Sequence, residues 1–71
     1  MRFEELSIGN IFRYNDNIYM RIEDVCPYDN ASIKHNAVII SHMIPSMIGY
    51  VTTIEDNDSV HYINNVYKGL L

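Results

Sequence analysis

SIGNIFRYNDNIYMRIEDV, residues 7–25, is the stretch whose reading decides the fold. Asn10 to Tyr14 and Ile18 to Val25 are rich in β-branched and aromatic side chains. Between them Asn15-Asp16-Asn17 are residue types that tolerate the left-handed backbone of a short hairpin loop. A three-residue loop sets Tyr14 opposite Ile18 and Phe12 opposite Met20, with Arg13 opposite Tyr19 and Ile11 opposite Arg21. Ile18, Met20 and Ile22 then share one apolar face, while Tyr19, Arg21 and Glu23 occupy a mixed one. On this register the predicted core is Phe12, Met20, Ile22, Val38, Ile40 and Val60.

Working outward, Phe3-Glu4-Glu5-Leu6 forms one short turn whose apolar residues tuck under the sheet. Gly9 gives the chain freedom to enter the first strand. Cys26-Pro27 ends the second strand, because proline cannot donate to a ladder. Residues 26–35, CPYDNASIKH, form a loop longer than a tight hairpin needs. Asn36 to Met43 is a third strand, broken by Pro45, and Ile48 to Ile54 is a fourth with a bend at Gly49. Glu55 to Asp58 is an acidic turn, and Ser59 to Ile63 is a fifth strand. The segment Asn64 to Leu71 ends in two leucines and calls for cover on its own barrel or on a neighbour.

The 71 residues are one domain, 1–71, at the small end of what folds alone. There is one cysteine, Cys26, so no intrachain disulfide is available, and no Cys/His spacing of the zinc-ribbon kind occurs. Self-association is the remaining support, and a homo-oligomer, most simply a dimer, is expected through Val66, Tyr67, Leu70 and Leu71 and the Met43–Ile48 segment. Nine acidic residues against five basic ones give a net charge of −4, which disfavours duplex nucleic acid as a partner. The most apolar run, Ala37 to Ile40, is too short for a membrane span, and MRFEELS lacks an apolar signal core. With the unpaired cysteine, this points to the cytoplasm.

The pattern F-x-x-L-x-I-G-x-x-F-x-Y at Phe3, Leu6, Ile8, Gly9, Phe12 and Tyr14 is followed by Ile18, Tyr19 and Ile22, then Asn36-Ala37-Val38, Gly49, and Asp56-Asn57-Asp58 with Val60. This pattern resembles a group of small phage-associated proteins with SH3-like β-barrels, many of which carry Asp where this chain has Asn10. The five short strands predict an all-β fold, a small five-stranded barrel closed on itself with a short C-terminal helix or an extra strand; the resemblance implies that the barrel is SH3-like and the origin viral. These are fold-setting positions and imply no activity.

No paired carboxylates, triad or metal set assembles from the sequence, so an enzyme is not expected, and neither a cofactor nor a metal is. His35, His42 and His61 could meet only if the third and fifth strands are neighbours. The candidate surface is the outer face of the hairpin. There Arg13, Tyr19 and Arg21 bring guanidinium groups beside a ring, with Tyr14, and Tyr28, Lys34 and His35 of the long loop, extending the patch. Arginines fork onto phosphate oxygens and rings stack on bases, so the expected ligand is a small anion such as a nucleotide. With the viral origin that the resemblance implies, the patch and the small size point to a phage protein that sequesters a bacterial immune signalling nucleotide. The plainer arrangement has Arg13 covering Tyr19 on a solvated face. The alternatives are a module that inhibits or recruits a host protein through Met43 to Ile48, and a nucleic-acid-binding small barrel.

Overall fold

A computed structural model describes residues 1–26 and 33–65. Five strands, β1 (Asn10–Tyr14), β2 (Asn17–Val25), β3 (His35–Ser41), β4 (Val51–Thr52) and β5 (His61–Asn65), form one antiparallel sheet in the order β4-β3-β2-β1-β5. Two 3-10 turns, Phe3–Glu5 and Pro45–Met47, complete the described elements. The all-β class holds. The sheet is open, with β4 and β5 as its edges, where a closed barrel was expected.

The hairpin loop is two residues long. Asn15 and Asp16 have φ of 50° and 64°, the doubly left-handed backbone whose twist matches that of the flanking strands. Asn17 therefore joins β2 opposite Tyr14, and the pairs that follow are Arg13 with Ile18, Phe12 with Tyr19 and Ile11 with Met20. The register expected from a three-residue loop is corrected by one position, which exchanges the faces of β2.

The core changes accordingly. Phe12 and Val60 are buried as expected, but their companions are Phe3, Leu6, Tyr19, Ala37, Ile39 and Ile54. Phe12 stacks on Tyr19 with centroids 5.5 Å apart and planes at 17°, and the Phe3 ring meets Phe12 edge-on at 5.5 Å. Tyr19 pairs with Ile39, so a row of three large side chains crosses β1, β2 and β3 on the inner face. Met20, Ile22 and Val38, expected in the core, are half-buried, and Ile40 is exposed.

A second layer comes from irregular chain. The backbone N–H groups of Phe3 and Glu4 donate to Asp58 and Asp56, that of Val60 donates to Met1, and Arg2 bridges Ser59. The first residues thus pair with 56–60 across the core, with Phe3 and Leu6 pointing into it as anticipated. This pairing uses Ser59 and Val60, so β5 begins at His61 rather than Ser59. The fourth strand is shorter than Ile48–Ile54 because Ile48 and Gly49, with φ 94° at Gly49, belong to a turn. The expected C-terminal helix or extra strand, and the Val66, Tyr67, Leu70 and Leu71 contact, lie outside the described residues. No helix among the described residues is long and apolar enough to cross a membrane.

Substitution on β1 and β3 tests which way these strands face. Phe12→Ala and Ile39→Ala should destabilise by about 3–5 and 2–5 kcal/mol respectively, and Ile40→Ala by less than about 1 kcal/mol. Denaturant titration measures all three, and equal losses at Ile39 and Ile40 would contradict the assigned faces.

Candidate functional site

The corrected register separates the residues of the hairpin patch. Tyr19 and Arg21 lie on the inner face. Arg13 lies on the outer face, opposite Ile18 on β2 and His61 on β5. Tyr19 is buried between Phe12 and Tyr14, the latter edge-on at 6.1 Å. Its ring is part of the core.

Arg21 is engaged at the sheet's margin. Its guanidinium lies over the Phe3 ring, 4.8 Å from the centroid, and Nη1 donates to the carbonyls of Phe3 (3.2 Å), Glu4 (3.4 Å) and Leu6. The Phe3 carbonyl also accepts the Leu6 N–H that closes the turn, at 3.0 Å, while those of Glu4 and Leu6 lie at its C-terminal end, so the cation fixes the turn over the core. At the same turn the backbone N–H of Arg2 donates to Glu5 Oε1 at 2.8 Å, which holds the Glu5 carboxyl below its ordinary value. Tyr14 donates its hydroxyl proton to Asp58 Oδ2 at 2.8 Å, and this bond raises the phenol's pKa above its ordinary value.

Two of the anticipated residues share a cleft. Arg21 and Lys34 line a hollow of about 440 Å³ together with Asp24, Asn36, Thr53, Ile54, Glu55 and Asp56. Asn36 shapes its floor: its Nδ2 donates to the Ile54 carbonyl at 2.9 Å and its Oδ1 accepts from the Ile54 N–H at 2.8 Å. Beside it the Thr53 hydroxyl donates to the Lys34 carbonyl at 2.7 Å, so its oxygen accepts from His35 Nδ1 at 3.2 Å. Tyr28 lies outside the described residues. The sequence reads Glu55 to Asp58 as an acidic turn, and Glu55, Asp56 and Asn57 are exposed as a turn requires; it places Asn36 at the start of the third strand but assigns its side chain no role. The signal for Asn36 was a polar residue beside an apolar run, where burial demands a partner.

The connection between β3 and β4 offers a surface of another kind. Four of its N–H groups are held by backbone carbonyls: Met47 N–H to Ile44 O at 3.0 Å, Ile48 N–H to Pro45 O at 3.1 Å, Tyr50 N–H to Met47 O at 3.2 Å and Gly49 N–H to Ile39 O at 2.8 Å. The Ile44 N–H donates to His42 Nδ1 at 3.0 Å, which places that ring's proton on Nε2. Upon this fixed backbone Met43 (87% exposed), Ile44 (56%), Ile48 (50%) and Tyr50 (63%) face outward.

Among the described residues no group of three or more His, Cys, Asp and Glu side chains is placed to hold a metal. β3 and β5, which carry His35 and His61, are separated by β2 and β1. Cys26 is exposed.

The two arginines should respond differently to removal. Arg21→Ala should cost about 1.5–3 kcal/mol through loss of charge-assisted bonds to the turn, whereas Arg13→Ala should stay within about 0.5 kcal/mol. Thermal or denaturant unfolding reads both, and an unchanged Arg21→Ala would remove the anchoring role. No family model matches this chain, and neither a curated protein nor a solved structure matches it.

Proposed function

We propose that this protein is a non-enzymatic protein-interaction module that engages its partner through the β3–β4 connection. The observation that carries this reading is the outward display of Met43, Ile44, Met47, Ile48 and Tyr50 on a backbone held by its own hydrogen bonds. Exposed apolar side chains concentrated in one segment mark an interaction surface, and a preorganised segment loses little entropy on binding. The resemblance to phage-associated proteins makes the partner a host protein that is inhibited or recruited. An SH3-like arrangement belongs to the same reading, supported by a β1-to-β4 meander with β5 returning beside β1.

Capture with the tagged protein, followed by cross-linking, tests this proposal. A partner retained by the wild type should be lost from Met43→Asp/Ile48→Asp at unchanged melting temperature. Retention by the double variant would defeat the reading.

A second reading, binding of a small anion such as a nucleotide, keeps Arg21 and Lys34 at one cleft. Three carboxylates line that cleft as well, so a polyphosphate meets opposing charge there. Calorimetric titration with cyclic and linear adenine nucleotides should give no binding heat. Binding that is abolished in Lys34→Ala would restore the sequestering function and displace the first reading.

A further inference from the structure

The ladder at the β4 edge is longer than the two residues of the strand itself. The Ile39 N–H donates to the Tyr50 carbonyl at 2.9 Å, Val51 and Thr52 pair with Val38 and Ala37, and the Asn36 side chain exchanges both bonds with Ile54. Asn36 thus substitutes for a backbone and carries the pairing two residues further. Tyr50 directs its carbonyl and Ile54 both its polar groups toward β3, so by the alternation of an antiparallel ladder the backbone groups of Val51 and Thr53 are directed away from it. Among the described residues no strand pairs with that outer side.

The edge reads Tyr-Val-Thr-Thr-Ile, five residues of high strand preference with no charge and no proline. Sheets normally blunt such an edge with lysine, proline or a bulge. The opposite edge has its bulge: β5 shifts register against β1 between Ile11 and Phe12. The Tyr50–Ile54 edge carries no such device. At its far end stand Glu55, Asp56 and Asp24, facing Lys34 and an Arg21 already engaged with carbonyls.

We infer that Tyr50 to Ile54 is an acceptor edge for an extended segment of the partner protein, added as a sixth strand, with a basic side chain seated beside Glu55 and Asp56. This inference rests on the interaction-module reading and names its binding mode. Main-chain bonds to Val51 and Thr53 supply the pairing, the apolar Tyr50 side reads alternate side chains, and the carboxylates set direction. A second copy could pair along this edge too, but its uncharged Tyr50–Ile54 strand would bring no further cation to these carboxylates, which outnumber Lys34 and the engaged Arg21. Charge complementarity therefore selects a partner with a Lys or Arg at one end of the strand.

The test uses fluorescence polarisation on the whole chain with blocked heptapeptides KTVTVTY and YTVTVTK, which cover both strand directions, and their counterparts with Glu for Lys. At least one lysine peptide should bind, and its Glu counterpart at least tenfold more weakly. Glu55→Lys/Asp56→Lys should invert that preference. Val51→Pro, which removes one outward donor and leaves the bonds to β3, should weaken binding at least tenfold. N-methylation of alternate peptide nitrogens should do the same on wild-type protein, so the outcome does not depend on Val51→Pro folding. No peptide binding, equal affinity for Lys and Glu peptides, or a wild-type dimer that peptide fails to dissociate would overturn the inference. If peptides fail while partner capture still depends on Met43 and Ile48, the acceptor edge is lost and the interaction-module reading stands.

Discussion

The left-handed backbone at Asn15 and Asp16 governs the arrangement of nearly everything else. A two-residue loop fixes Tyr14 opposite Asn17 and Phe12 opposite Tyr19. Because side chains alternate along a strand, this one decision assigns every β2 residue to a face. It puts Tyr19 under Phe12 and beside Ile39, giving a continuous stack over three strands. It also puts Arg21 on the inner face, within reach of the carbonyls of the first turn.

That second consequence matters for stability. A single sheet must bury one face against another layer, and this chain builds the layer from a 3-10 turn and the 53–60 segment. Such irregular pieces bring unpaired backbone groups to the margin of the core. Arg21 and Asn36 answer them, the first by donating to the carbonyls of Glu4 and Leu6 besides the already paired one of Phe3, and the second by pairing with both polar groups of Ile54. Among the described residues no buried side-chain nitrogen or oxygen is left without a partner. Arg21 thus serves the fold before any ligand, and a patch that needed its fork for phosphate would compete with its own N-terminal turn.

The first strand, the N-terminal turn and the all-β class were legible because each rests on local signals: β-branched runs, a Phe/Leu pair, and glycine. The hairpin register was not. Asn15-Asp16-Asn17 offers three residues that accept positive φ, and composition alone does not say whether two or three are used; the better twist of the two-residue loop decides it. The error then propagated, which is why Met20, Val38 and Ile40 were expected inside and Tyr19, Ala37 and Ile39 were not. The start of β5 was misplaced for a different reason. Ser59 and Val60 are as strand-prone as His61, but they pair with the chain's first residues, a contact across nearly the whole sequence. The role of Asn36 depends on a partner eighteen positions away, so a polar residue beside an apolar run signals that a partner is needed without naming Ile54.

The same contacts explain why the surface is unequal. On the β1 and β5 side the first residues close against 56–60, and a register shift bends the ladder. Among the described residues the β3–β4 side has no such closure. There the chain displays Met43, Ile44, Ile48 and Tyr50 on a fixed turn, continues as an uncharged edge, and ends beside Glu55 and Asp56. Apolar contact, backbone pairing and charge therefore follow one another along a single run of fourteen residues, 43–56. An extended segment lying along this run would meet all three in sequence, whereas a compact ligand in the cleft alone would meet only the charged end.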